Sequence, residues 1–387
     1  MTEATGLGRR LRLGMVGGGR DAFIGAVHRI AARLDDRFDF CAGALSSDPE
    51  KARASGADLL LADDRCYGSY AEMAAAEATR PDGIDAVAIV TPNHVHAEAA
   101  TAFLDQGIHV ICDKPLTTNL ATAEAVQAAV VRSGLIFGLT HNYTGYPMVR
   151  QARDMVAGGD LGRIRVIQVE YPQDWLSANL EATGQKQAEW RTDPARSGPA
   201  GCVGDIGTHA YHLARFITDL LPEALAADLS RFVDGRRLDD NAHIMLRFAG
   251  GARGMIWASQ VAPGNENALK IRIYGDAGGL EWAQESPNAL RYSPLGEQPR
   301  ILTRGGPGLG AAAERATRIP PGHPEGYLEG FAQLYADFAD QLEARILERS
   351  PDPAAMLLPG VGDGVDGVRF ITRTVESAES GGGWVTF

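Results

Sequence analysis

The chain of 387 residues is 45% hydrophobic, 22% charged and 7% aromatic, the make-up of an ordinary globular protein with length for two or three domains. Its 37 Lys and Arg against 49 Asp and Glu leave a net charge of −12, which argues against nucleic acid or an anionic membrane as partner, since both call for a basic face. No apolar run nears the roughly 18 residues of a membrane span. Cys41, Cys66, Cys112 and Cys202 lack metal-binding spacing and read as reduced thiols of a cytoplasmic protein. Arg9 and Arg10 lead into Leu11–Gly17, which reads as a core strand rather than as the apolar part of an export signal.

In chain order, strands are expected at Leu11–Val16, Phe38–Leu45, Ala86–Val90, His109–Cys112 and Ile136–Leu139. They are apolar almost throughout rather than alternating, as expected for parallel strands covered on both faces. Helical stretches lie between them, with starts at Ser47 or Asp48 before Pro49 and at Thr118 or Asn119 before Leu120–Arg132. This is the pattern of a doubly wound parallel sheet of α/β class, and it occupies residues 1–145. After a helix at Pro147–Ala157 the rhythm changes. Ile164–Tyr171, Ala242–Phe248, Ala252–Gln260, Ala268–Tyr274, Gly279–Gln284 and Ala289–Ser293 read as strands of an antiparallel or mixed sheet, with a Gly250-Gly251 turn. They begin a second, α+β domain over residues 146–387. Thr303–Pro324 reads as a long loop, and helices over Tyr327–Glu348 and about Val365–Ser377 close the chain.

Chemistry is expected at three places. Gly17-Gly18-Gly19-Arg20-Asp21-Ala22-Phe23-Ile24-Gly25 lies between the first strand and a helix, where glycines let a backbone approach a pyrophosphate seated on free helix N–H groups. Strict G-x-G-x-x-G spacing puts Ala22 third, with Gly25 three residues on. Ser46 stands where an acid would hold the adenosine ribose of NAD, and Asp48 reads as a helix cap, so the choice between NAD and NADP stays open. Thr91-Pro92-Asn93-His94-Val95-His96 and Asp113-Lys114-Pro115 follow the carboxyl ends of strands, where open α/β sheets bind ligands. Burial of the Lys114 stem is expected to lower its pKa. Finally, Asp205, His209 and His212 fall at i, i+4 and i+7 and would share one helix face. Such a face suits an acid–base pair, a carboxylate-plus-two-His metal site, or merely a polar side turned to water.

Taken in order, the Gly17–Gly25 turn with His28, Thr91-Pro92-Asn93 with His96, Asp113-Lys114-Pro115 and Asp205-x-x-x-His209 resemble the Gfo/Idh/MocA family of glucose–fructose oxidoreductase and inositol dehydrogenase, over essentially the whole chain. The family has Glu where this chain has Asp113. The resemblance implies a Rossmann domain, a C-terminal domain on a large open, mainly antiparallel sheet, and pairing of subunits through that sheet as a homodimer or homotetramer. It implies NAD or NADP held at Gly17, Gly19, Gly25, Ser46, Thr91, Pro92, Asn93, His96, Asp113 and Lys114. It further implies that Lys114 contacts the reacting hydroxyl, that His209 is the acid–base and that Asp205 supports the substrate, without a metal. The expected substrate is a sugar, glycoside or cyclitol oxidised at a ring secondary hydroxyl, met by Tyr143, Trp175, Trp190, Arg191 and His212. Two other readings are a metal-dependent hydrolase or isomerase built on Asp205, His209 and His212, and a dinucleotide sensor without catalysis. The first leaves the glycine turn unexplained, and the second makes Lys114 and His209 superfluous.

Overall fold

The computed structural model describes residues 6–387, so the first five residues of the domain expected at 1–145 lie outside it. The described chain forms two compact units. In the first, β1 (Leu11–Gly17), β2 (Phe38–Ala44), β3 (Ala86–Val90), β4 (His109–Cys112) and β5 (Phe137–Leu139) make a sheet of order β2-β1-β3-β4-β5. Every pairing is parallel. All of β3 and β4 is buried, as expected of the apolar run Ala86–Val90 and of the largely apolar His109–Cys112. A lone parallel bridge between Gly43 and Cys66 adds a remnant of one more strand beyond β2, which restores the dinucleotide-binding order around a reversal between β1 and β3. Ligands bind at such a reversal, beyond the carboxyl ends of the strands.

The first unit also contains Tyr327–Val365, which differs from the expected division of the chain at 145/146. The physical reason is the face of helix Tyr327–Ile346. Phe331, Tyr335, Phe338 and Leu342 recur every three or four residues and are buried in one core with Leu11, Leu13, Met15, Val27 and Ala31. Arg37 adds ion pairs to Asp340 and Glu343 at 2.7 and 2.9 Å.

The second unit is built on nine strands, β6 (Ile164–Pro172), β7 (Pro222–Ser230), β8 (Asn241–Phe248), β9 (Arg253–Ser259), β10 (Lys270–Gly275), β11 (Gly278–Ala283), β12 (Ala289–Pro294), β13 (Arg300–Thr303) and β14 (Val385–Thr386). Their order is β13-β12-β11-β10-β6-β9-β8-β7-β14. β6 runs parallel to β9, and the other neighbours are antiparallel. Ile167, Val169, Ile244, Ile256, Ile271, Leu280 and Trp282 are buried, and helices Pro147–Ala157 and Thr208–Thr218 pack on the sheet. Alternate positions on β6, β8, β9 and β10 stay exposed, among them Val166, Met245, Met255 and Tyr274.

The expected loop Thr303–Pro324 contains a short helix at Ala311–Arg315. Arg304 pins it, donating to Ile319 O (2.6 Å), Pro320 O (3.1 Å) and the Glu325 carboxylate (2.8 Å) from a side chain 1% exposed. A buried guanidinium with its N–H groups paired orders a segment that has no apolar period. β7, β13 and β14 and the short helix Lys186–Arg191 were not expected from the sequence. Of these β7 is the longest, and its Ala-rich run is drawn into the sheet by β8.

Candidate functional site

In the first unit, the chain leaves β1 through Gly17 and Gly18, whose φ angles of +79° and +72° only glycine adopts without strain. Space is as restrictive as conformation. A Cβ on Gly17 would stand 2.9 Å from Val90 O, one on Gly19 2.6 Å from Leu45 O, and one on Gly25 2.4 Å from both Cα and O of Gly18. The helix Phe23–Leu34 thus begins against the loop itself, and its N-cap, Ala22, gives no side-chain hydrogen bond to the first turn. Its leading N–H groups are offered to an anion. Arg29 Nη1 donates to Gly18 O at 2.7 Å and fixes that peptide. These features fit the pyrophosphate of a dinucleotide. Gly18, absent from the expected set, is the partner that makes Gly25 necessary.

At the end of β2, Ser46 Oγ accepts from Asp48 N at 3.1 Å, and Asp48 caps helix Pro49–Asp58 through Glu50 N and Lys51 N. At the reversal, Asn93 is buried in the turn after Thr91-Pro92. His96 is buried too. Its Nδ1 lies 2.9 Å from Pro115 O and its Nε2 2.9 Å from Thr91 O, so the ring joins the loop after β3 to the loop after β4. Burial lowers its pKa, against the opposing pull of Asp113. Asp113 is itself held, accepting from Thr140 Oγ1 at 2.6 Å and from Lys114 N at 3.0 Å, and Lys114 is half-buried between Asp113 and buried Pro115.

In the second unit the expected single helix face is corrected. Val203–Gly207 is a π-helical turn, closed by Thr208 N on Val203 O, and the α-helix begins at Thr208. Gly204 and Gly207 weaken α-helix there, so Asp205 leaves the 3.6-residue register that His209 and His212 keep. Asp205 Oδ2 accepts from Gln260 Nε2 at 2.9 Å and lies 3.4 Å from Arg191 Nε. The Arg191 guanidinium sits 4.3 Å over the Trp190 ring and is bonded to Gln187. Trp175 is half-buried next to Leu176, whose N–H donates to Gln260 O at 3.1 Å. Trp190, Arg191 and Asp205 are therefore brought together, and sequence reasoning missed two of their partners, Gln187 for Trp190 and Arg191 and Gln260 for Asp205.

The ring of His209 meets Tyr143 edge-on at 4.9 Å and Tyr171 at 6.4 Å. Tyr143 is buried with its hydroxyl bonded to Tyr171, and the Tyr171 hydroxyl donates to Asn267 Oδ1 at 2.8 Å. Burial raises the Tyr143 pKa. His212 is buried on the same helix and stacks on Phe216. Among the described residues, no three His, Cys, Asp or Glu side chains are grouped to hold a metal ion, and no helix is long and apolar enough to cross a membrane.

Residues 11–141 match the family model described as an oxidoreductase family with an NAD-binding Rossmann fold, and residues 149–281 match the GFO/IDH/MocA C-terminal domain. The chain is 36% identical over 384 residues to the uncharacterised oxidoreductase YfiI of Bacillus subtilis, covering 98% of each. An oxidoreductase structure from Sinorhizobium meliloti is 54% identical, with TM-score 0.89 over 98% of this chain and 100% of that one. An inositol dehydrogenase homolog from Azotobacter vinelandii, solved with NADH and myo-inositol, is 37% identical, with TM-score 0.90 over 98% of each chain.

Proposed function

We propose that this chain, which belongs to the Gfo/Idh/MocA family of NAD-binding oxidoreductases, oxidises a ring secondary hydroxyl of a sugar, glycoside or cyclitol to the ketone. The observation that carries the substrate class is the set Trp190, Arg191, Asp205 and Gln260, an aromatic face beside a hydrogen-bonded carboxylate. An apolar ring face covers the C–H side of a sugar, and paired donors and acceptors take hydroxyls that lose their water. A nicotinamide cofactor, when bound, would supply the acceptor for the hydride. Gly17, Gly18, Gly19 and Gly25, with the helix start at Ala22, would hold the pyrophosphate, and Thr91, Pro92, Asn93 and Lys114 the nicotinamide end. Ser46 would face the adenosine ribose. His96 supports the two loops from behind through Thr91 O and Pro115 O.

In the roles that the resemblance assigns, His209 takes the hydroxyl proton as the general base. Lys114 steadies the negative charge that develops on the oxygen. Trp175, Tyr143 and His212 complete the substrate's surroundings. The similarity to an inositol dehydrogenase homolog bound to myo-inositol puts cyclitols first among the substrates to be tried.

Self-association through the outer face of the nine-stranded sheet belongs to the same reading. The paired residues Met245 and Met255, and Val166 and Tyr274, leave large apolar side chains exposed there. Four free cysteines and the demand for a nicotinamide pool go with a cytoplasmic setting. The test is a panel of inositols, pyranoses and glycosides with NAD and with NADP, read by absorbance of the reduced nicotinamide. Turnover of at least one cyclic polyol is expected. Silence across all of them would refute the substrate class.

A further inference from the structure

The connection between β7 and β8, residues 231–240, contains a run of polar residues that neither the motifs nor the proposed reaction uses. Arg236 has a side chain only 1% exposed, yet each of its five N–H groups has an acceptor. Nε and Nη2 donate to the two Glu181 carboxylate oxygens at 2.9 and 3.0 Å. Nη1 donates to Leu176 O at 2.8 Å and to Asp240 Oδ2 at 3.4 Å, and Nη2 also to Ala178 O at 3.2 Å. Arg237 pairs with Asp193 at 2.7 Å, and Asn179 Nδ2 donates to Asp234 O at 3.2 Å. The strap of residues 174–193, which bears Trp175, Trp190 and Arg191, is thus fastened at both ends to one connection.

Asp239 works in the other direction. Its Oδ1 accepts from Gly201 N at 2.6 Å, its Oδ2 from Val203 N at 2.9 Å, and its carbonyl from Cys202 N at 2.9 Å. Those three amides open the turn that carries Asp205 and leads to His209. Asp240 O then accepts from Gln260 N at 2.8 Å, and Gln260 reaches Asp205. Well-packed apolar residues often stabilise an interior as well as a buried ion pair does, so a network of this completeness is better explained by the fixed directions it gives its partners.

We propose that Arg236 and Asp239 are positioning residues of the polyol site, Arg236 for the strap that bears Trp175, Trp190 and Arg191, and Asp239 for the turn that bears Asp205 and leads to His209. This rests on the assignment of those side chains to substrate made above. Without Arg236 the strap must be ordered each time substrate binds, which weakens binding and spares the chemical step. An amide in place of the Asp239 carboxylate offers a single acceptor oxygen, so Gly201 N or Val203 N faces an NH2 group and the turn shifts under His209.

The test uses the full chain, NADH titration by fluorescence, and steady-state kinetics on the fastest substrate among myo-inositol, scyllo-inositol, D-glucose and D-xylose. Arg236→Gln and Glu181→Gln are expected to raise the polyol KM by about tenfold or more with kcat and NADH affinity little changed, and Arg236→Lys to recover part of the loss. Asp239→Asn is expected to lower kcat by about tenfold with a smaller effect on KM. If Arg236→Gln fails to fold, Glu181→Gln carries the comparison, since its carboxylate is 17% exposed. Folded Arg236 and Glu181 variants with wild-type KM, alongside a raised KM in Trp190→Ala, overturn the positioning role alone. A wild-type KM in Trp190→Ala as well overturns the substrate assignment beneath it. A lowered melting temperature with both kinetic constants intact leaves only a structural role and overturns the proposal.

Discussion

Replacing Gly25 with alanine tests the cofactor seat through a single methyl group. The new Cβ would stand 2.4 Å from Gly18 Cα and Gly18 O, where ordinary contact begins at 3.4 Å, so loop and helix must part by about 1 Å. Gly25 lies in the first turn of helix Phe23–Leu34 with an ordinary helical backbone, so alanine gains about 1 kcal/mol of helix propensity there. Overpacking costs about 1–3 kcal/mol, which leaves a net destabilisation of about 0–2 kcal/mol and a folded protein. Binding suffers more than folding. A separation of that size breaks at least one charge-assisted hydrogen bond from the loop or helix start to an anion, worth about 1.5–3 kcal/mol, so the NADH dissociation constant is expected to rise about 10- to 100-fold. Fluorescence titration with NADH measures it, beside Gly134→Ala as control. Gly134, unlike Gly25, has a positive φ, +63°, but no atom lies within 4 Å of its Cβ position, and it precedes the amino end of β5. The control is expected to lose some stability and to bind NADH as the wild type does. Wild-type NADH affinity in a folded Gly25→Ala protein would refute the seat.

Lys114→Ala and His209→Ala are expected to stay folded and to lose turnover by about 10²- to 10³-fold and 10²- to 10⁴-fold, measured on the best polyol at saturating cofactor. Ser46→Asp is expected to move the ratio of dissociation constants towards NAD and away from NADP, read by calorimetric titration of both forms, because a carboxylate there repels a 2′-phosphate. His28 contributes a pH dependence of stability. It is fully buried beside Tyr335, with Nδ1 2.9 Å from the hydroxyl, and burial pushes its pKa down from 6.5 to about 4. The unfolded chain binds the proton first as pH falls, so stability is complete above about pH 6.5 and declines by about 1.4 kcal/mol per unit down to about pH 4. His28→Gln is expected to flatten that stretch of a plot of denaturation midpoint against pH, and an unchanged slope would show that other groups set it.

The first unit was legible because its strands are short, apolar and locally specified. Ala86–Val90 and His109–Cys112 were expected at the bounds they adopt, and the helix at Pro147–Ala157 of the second unit likewise. Elements whose fate rests on distant partners were not. Pro222–Ser230 reads Pro-Glu-Ala-Leu-Ala-Ala-Asp-Leu-Ser, a run with as much helical as strand character, and pairing with Asn241–Phe248 decides it. Helix Tyr327–Ile346 was foreseen as a helix, but its amphipathic face does not say which core will receive it. A hydrophobic period specifies that a face is buried, not against what.

The same distinction runs through the site. Glycine is informative in sequence because it marks what the backbone must do, and Gly17, Gly19 and Gly25 stand where a side chain would collide. Polar residues are informative only once their partners are known. Asp205, His209 and His212 looked like one helix face because α-helical spacing was assumed across Gly204 and Gly207, and the π-helical turn at Val203–Gly207 breaks it. Asp205 instead finds Gln260 and Arg191, 55 and 14 residues away in the chain. His96 ties two carbonyls, each at the foot of a loop that reads as cofactor-binding, and its own spacing does not name those partners. Arg236, Asp239 and Asp240 carry no motif, since a brace needs only donors and acceptors at the right distance and any local spacing will serve. On the proposed assignment, the buried charges that shape the polyol site leave no mark in the sequence, while the glycine turn that fits a pyrophosphate, made of main chain, stays visible.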